Sequence, residues 1–127
     1  MIFEKLTSTV SDFTHIIHIA DIHIRLTKRH QEYREVFQRL YNDVAASPPT
    51  TIICVLGDVC HSKSDLSPEC VQMVSDFLWN LANLRETILI PGNHDATLSN
   101  KTRLDSLSPI VDALAHPKLH YLKESKL

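Results

Sequence analysis

The chain has 127 residues, of which 43% are hydrophobic and 22% are charged, and its formal net charge is −2 at pH 7. This length suits one domain, or part of one, with a real core, and the near-neutral charge excludes a strongly basic protein that coats nucleic acid. No apolar stretch approaches the roughly 18 residues of a membrane span, and the three cysteines form no CxxC pair, so we expect an intracellular chain, cytoplasmic or nuclear, with free thiols and no membrane association.

The first strand and helix follow a short lead-in. The apolar run at 15–20 predicts a strand that ends in the turn Asp21-Ile22-His23. Apolar residues then recur at helical spacing over 33–44, and Ser47-Pro48-Pro49 ends this predicted helix.

The same plan repeats twice. A strand at Thr51–Leu56 runs into Gly57-Asp58, and Ser67-Pro68 predicts the start of a helix that ends near Asn83. A third strand at 87–91 runs into Gly92-Asn93-His94-Asp95. A short helix at 110–115, introduced by Ser108-Pro109, and a strand at 119–122 complete the predicted elements.

Apolar strands that alternate with amphipathic helices predict an α/β fold with a parallel βαβαβ sheet and helices on the sheet faces. The carboxyl ends of parallel strands meet at one edge of a sheet, so the three polar turns should form a single cleft.

The donor groups in these turns predict a metal site. They are carboxylates, imidazoles and an amide, without a thiolate cluster: Asp21, His23, Asp58, His61, Asn93, His94 and Asp95. Such a set favours two divalent ions, Mn²⁺ first with Fe or Zn²⁺ as alternatives, and two ions suit phosphoester hydrolysis. Each turn alone could be an ordinary helix cap or turn pair, but three in this order after three strands favour a site.

The three motifs resemble those of the calcineurin-like metallophosphoesterase superfamily, D-x-H, G-D and G-N-H-D/E. Within it, Asp21-x-His23 and the histidine three residues after Asp58 are most similar to the Mre11/SbcD class of DNA-repair nucleases. The second motif lacks the arginine of the protein phosphatase branch. The resemblance implies a DNA exonuclease or endonuclease of repair or recombination, with DNA as substrate and an SMC-like ATPase as partner.

The resemblance also implies roles for individual residues. Asp21 and His23 would bind the first ion, Asp58 would bridge both ions, and Asn93 would bind the second. His94 would be catalytic beside the scissile phosphate, His61 would assist it, and Asp95 would support the loop around His94.

Basic residues follow the first turn. Arg25, Lys28 and Arg29 lie where the first helix should begin, and cations there oppose the helix dipole, so contact with the phosphate backbone is one interpretation and a solvated face is the other.

The resemblance stops before the superfamily's distal histidine motifs. We therefore expect residues 1–127 to be the N-terminal portion of a single metallophosphoesterase (nuclease) domain, truncated before those motifs, inactive alone and prone to self-association through an unpaired sheet edge. The alternative is a non-catalytic scaffold with this fold that binds a protein or a nucleic acid. A reading frame that continues past Leu127 into a Gly-His-x-His segment would favour the enzyme.

Overall fold

The structure is a computed structural model that describes residues 12–24, 29–60, 67–92 and 107–122. Within these ranges strands and helices alternate, and the predicted order of elements is confirmed. The elements are β1 (His15–Ile19), α1 (His30–Ala46), β2 (Thr51–Leu56), α2 (Pro68–Leu84), β3 (Glu86–Ile90), α3 (Ser108–Leu114) and β4 (Leu119–Tyr121).

The four strands form one parallel sheet in the order β1-β2-β3-β4. Ile19 lies beside Val55, and Leu56 lies beside Ile90, so the carboxyl ends of the first three strands are nearly level. The predicted α/β class is confirmed, and the turns that follow these strands emerge at the same edge.

The helix starts differ in how well the sequence predicted them. Ser67 caps α2 as predicted, since its hydroxyl accepts the Cys70 amide at 3.1 Å. Helix α3 begins at Ser108 itself, after Leu107, so Ser108 does not cap it. Helix α1 begins at His30, and Arg29 before it has a left-handed backbone and provides no side-chain cap.

The helices that the structure describes cover one face of the sheet. Every crossover steps in the same direction across the sheet, and right-handed crossovers that step one way place their helices on the same side. The opposite face carries Ile16, Leu56 and Ile90, which are 47%, 40% and 40% exposed. The predicted helices are therefore present, but among the described residues they lie on one sheet face rather than both.

The core lies between that covered face and the helices. The side chains of Ile53, Val55 and Leu89 from the sheet are fully buried against α1 and α2. The rings of Phe37 in α1 and Phe77 in α2 meet at 4.4 Å between centroids. This packing fixes α1 relative to the strands, and thus relative to the edge where the polar turns lie.

Two local features complete the fold. Arg85 joins α1 to the start of β3, since its guanidinium donates to the carbonyls of Ser47 at 2.7 Å and Pro48 at 3.2 Å. The cysteines are free, and burial raises the pKa of the Cys54 and Cys70 thiols.

Among the described residues no helix has the length and apolar character needed to cross a membrane.

Candidate metal centre

The polar turns follow their strands at equal distances. Asp21 comes two residues after the end of β1, Asp58 two residues after β2, and Gly92 two residues after β3. Because these strand ends are level, the three positions lie beside one another at the carboxyl edge of the sheet.

Backbone hydrogen bonds join the first two turns. The His23 amide donates to the Asp58 carbonyl at 2.8 Å, and the Ile24 amide donates to the Val59 carbonyl at 2.8 Å. Ile24 and Cys60 form an isolated parallel bridge, and the Cys70 thiol of α2 donates to the Ile24 carbonyl at 3.9 Å. The pairing of β1 with β2 thus continues past both strands and brings the two turns into register.

The backbone of each candidate ligand in these turns is left-handed. The φ angles are 52° for Asp21, 50° for His23 and 52° for Asp58. This region costs a residue with a side chain about 1–3 kcal/mol, less for aspartate, and it is concentrated at functional sites. Three such residues side by side indicate that the turns are shaped to aim particular side chains.

The three side chains converge. The Nε2 atom of His23 lies 3.9 Å from Oδ1 of Asp21 and 3.9 Å from Oδ2 of Asp58, and all three ligand atoms lie within 4.8 Å of one another. Ligands bound at 2.0–2.2 Å to one ion are separated by about 3–4 Å. The group could therefore hold a divalent ion, and its nitrogen and oxygen donors suit Mn²⁺, Fe or Zn²⁺.

Exposure differs among the three side chains. Asp21 is 73% exposed, His23 32% and Asp58 17%. A bound ion would therefore be open to solvent or substrate on the side of Asp21, while Asp58 forms the floor of the site.

Both glycines of the chain lie in this site. A Cβ on Gly57 would lie 2.7 Å from the Cα of Gly92, and Gly57 also has φ +81°. A Cβ on Gly92 would lie 2.7 Å from the carboxylate carbon of Asp58. The second and third turns can approach this closely only because neither glycine has a side chain. The close approach places the Asp58 carboxylate against Gly92.

Of the other predicted site residues, one lies within the described residues and six lie outside them. Arg29 is described and exposed, next to the start of α1. The remaining candidates lie outside the described residues: His61, Asn93, His94, Asp95, Arg25 and Lys28. Their assignments stay predictions. In the described ranges, Asp21, His23 and Asp58 are the one group of three side chains with metal-ligand geometry.

Sequence reasoning missed two contributions. The motif pattern pointed to Gly57 and Gly92 as turn residues, although only the folded turns reveal their mutual contact. Tyr33 was predicted as part of the apolar face of α1, yet its hydroxyl donates to the His23 carbonyl at 2.8 Å. The scarcity of glycine could have indicated the first contribution, whereas nothing in the helical pattern indicated the second.

Comparison with known proteins agrees with this geometry. The profile described as calcineurin-like phosphoesterase matches residues 14–124. An uncharacterized protein of Acanthamoeba polyphaga mimivirus is 45% identical over 120 residues, which cover 92% of this chain and 9% of that protein. The chain thus spans about a tenth of the length of this curated relative. The match over nearly the whole chain, together with the Asp21, His23 and Asp58 group, makes the chain a member of the calcineurin-like phosphoesterase family.

Proposed function

We propose that this chain carries the first metal-binding and catalytic motifs of a dinuclear-metal-dependent phosphodiesterase that cleaves DNA. The observation that carries the proposal is the convergence of Asp21, His23 and Asp58, from two separate turns, with ligand atoms within 4.8 Å of one another. Members of the family are generally metal-dependent hydrolases, and the donor set here suits that chemistry.

In this proposal each candidate residue has one role in metal binding or catalysis. Asp21, His23 and Asp58 would hold the first ion, and Asp58 with Asn93 would hold the second. When bound, two divalent ions would supply positive charge that stabilises the attacking and leaving oxygens of a displacement at phosphorus. His94 donates a proton to the leaving oxygen, which imidazole does well near neutral pH, and His61 orients the phosphate.

The backbone of the site supports an enzyme over the scaffold alternative. Asp21, His23 and Asp58 are all held in the left-handed region, and their side chains converge on one point. Strain of this kind is retained where the direction of a side chain matters.

Two observations support DNA as the substrate. The second motif resembles that of the Mre11/SbcD nucleases, as described above. Arg29 is exposed beside the first turn and, with Arg25 and Lys28, is suited to contact the phosphate backbone. An SMC-like ATPase partner follows from the same resemblance.

The proposal is tested first by metal stoichiometry. We expect the 127-residue chain to bind one Mn²⁺ tightly in calorimetry, because the first ion has three protein ligands and the second has only Asp58 and Asn93. We also expect no manganese-dependent cleavage of DNA by this chain alone. Failure to bind Mn²⁺ would contradict the metal centre itself.

The second test concerns chemistry. If the reading frame continues into a Gly-His-x-His segment, the continued protein should cleave single-stranded or duplex DNA with Mn²⁺. Replacing His94 with alanine should then reduce turnover by about 10²-fold or more while bound manganese is retained. Hydrolysis of p-nitrophenyl phosphate without any cleavage of DNA would contradict the nuclease assignment and leave the phosphoesterase assignment intact.

A further inference from the structure

Tyr33 lies in the first helical turn of α1, and its side chain contacts the Asp21-Ile22-His23 loop. Its hydroxyl donates to the carbonyl of His23 at 2.8 Å and lies 3.5 Å from the carbonyl of Ile22. Building on the proposed function, we propose that Tyr33 is a positioning residue that orients His23 for metal binding.

The backbone of His23 is held on both sides. Its amide donates to the Asp58 carbonyl at 2.8 Å, and its carbonyl accepts the Tyr33 hydroxyl. The φ of His23 is 50°, a conformation that persists only where surrounding contacts enforce it. The Tyr33 hydroxyl is one of those contacts, and it comes from a helix rather than from the neighbouring turn.

Tyr33 can enforce this geometry because its own position is fixed by packing. Its ring centroid lies 5.8 Å from that of Phe37, and Phe37 packs against Phe77 of α2 at 4.4 Å. The line of three rings connects the hydroxyl to the buried core. A rotation of the His23 backbone would therefore strain or break this hydrogen bond.

The direction of the imidazole depends on that backbone. The Nε2 atom of His23 lies 3.9 Å from a carboxylate oxygen on either side, a spacing that suits a shared ion. Without the Tyr33 hydroxyl, the His23 peptide can relax away from its left-handed φ and turn the imidazole out of line with Asp21 and Asp58. Residues that hydrogen-bond the side chain of a metal ligand typically contribute about 10–100-fold in metal affinity, and for this contact with the backbone of the ligand we expect the lower end of that range.

Tyr33→Phe removes the hydroxyl and keeps the ring, and Tyr41→Phe is its matched control. Tyr41 lies about two turns further along α1, packs against Phe77 at 6.4 Å, and has its hydroxyl hydrogen-bonded to Asn80. Each variant loses one hydroxyl from the same helix, but only Tyr33 contacts a candidate ligand.

The experiment measures Mn²⁺ affinity of the 127-residue chain by calorimetry and stability by thermal unfolding. We expect Tyr33→Phe to raise the Kd for Mn²⁺ about tenfold and Tyr41→Phe to leave it within about twofold. The visible spectrum of bound Co²⁺, which reports ligand geometry, should change in Tyr33→Phe and stay unchanged in Tyr41→Phe. A loss of stability shared by both variants would not produce this difference.

His23→Ala separates this inference from the proposed function. If His23→Ala weakens Mn²⁺ binding while Tyr33→Phe binds as tightly as the wild type, the positioning role is wrong and the metal centre stands. If His23→Ala also binds as tightly as the wild type, the metal centre and the positioning role are both wrong.

Discussion

At the scale of single residues, Asp58 has the most enclosed position in the metal centre. Its carboxylate is 17% exposed, against 73% for Asp21, and it packs against Gly92 of the third turn. It therefore faces His23 on one side and Gly92, the residue directly before Asn93, on the other. This position between the first and third turns is the basis for the bridging role proposed for Asp58.

We expect Asp58→Asn to weaken Mn²⁺ binding more than His23→Ala does. The amide keeps the shape of the side chain but loses its charge and one of its two acceptor oxygens, so a bridging ligand would be lost to both ions, whereas removing His23 affects one. Calorimetry with Mn²⁺ measures both variants in a form of the protein that continues past Leu127 and binds both ions, because the 127-residue chain alone should bind only one ion tightly. Asp76→Asn is the control, because Asp76 is exposed on α2 and accepts a hydrogen bond from Gln72 at 2.8 Å, away from the site. Equal losses from Asp58→Asn and His23→Ala would contradict the bridging role.

Residue types and their positions after strands were enough to predict that Asp21, His23 and Asp58 meet. Their left-handed backbones could not be predicted in the same way, because they result from turns that pair with each other only after the strands align. Tyr33 shows the same limit. Helical periodicity predicted its burial, but the carbonyl that accepts its hydroxyl belongs to a turn ten residues earlier in the chain.

At the scale of elements, periodicity predicted every strand and helix of the described residues, and the errors lie at their ends. The start of α1 was missed because Arg29 and His30 carry no capping signal. The start of α3 was misplaced because Ser108 lies inside the helix instead of capping it. Which face the helices cover depends on strand order, and the apolar pattern of a strand does not encode its neighbours.

The carboxyl end of α3 offers a test of this local backbone chemistry. Ala115 ends the helix with φ 47° and ψ 37°, a conformation that glycine adopts without steric cost. We expect Ala115→Gly to raise the free energy of unfolding by about 0.5–1 kcal/mol, because the relief of the left-handed strain exceeds the added chain entropy of glycine. Urea denaturation measures the change.

Ala113→Gly is the control for that change. Ala113 lies inside the same helix, where glycine should lower the free energy of unfolding by about 0.5–1 kcal/mol. Destabilisation by both substitutions would show that the strain at Ala115 does not govern the end of α3.

At the scale of the whole molecule, the sheet face opposite the helices carries partly exposed apolar side chains. Leu56 and Ile90 are neighbours in the β2–β3 register, each is 40% exposed, and Ile16 on β1 is 47% exposed. Parallel sheets normally have both faces covered. An exposed apolar face favours association with another apolar surface.

We expect the 127-residue chain to self-associate through this face, and Ile90→Lys to weaken the association. A lysine ammonium buried without a partner in an apolar interface costs several kcal/mol, so the dissociation constant should rise by about 100-fold or more. Because β3 is an inner strand, the substitution leaves both sheet edges unchanged and distinguishes face packing from edge pairing.

Val36→Lys is the matched control, since Val36 is 58% exposed on α1 and lies away from the sheet face opposite the helices. Sedimentation equilibrium measures the mass of each form over a range of concentrations. A wild-type chain that stays monomeric throughout would refute self-association, and an Ile90→Lys chain that associates as strongly as the wild type would show that the contact does not involve this face.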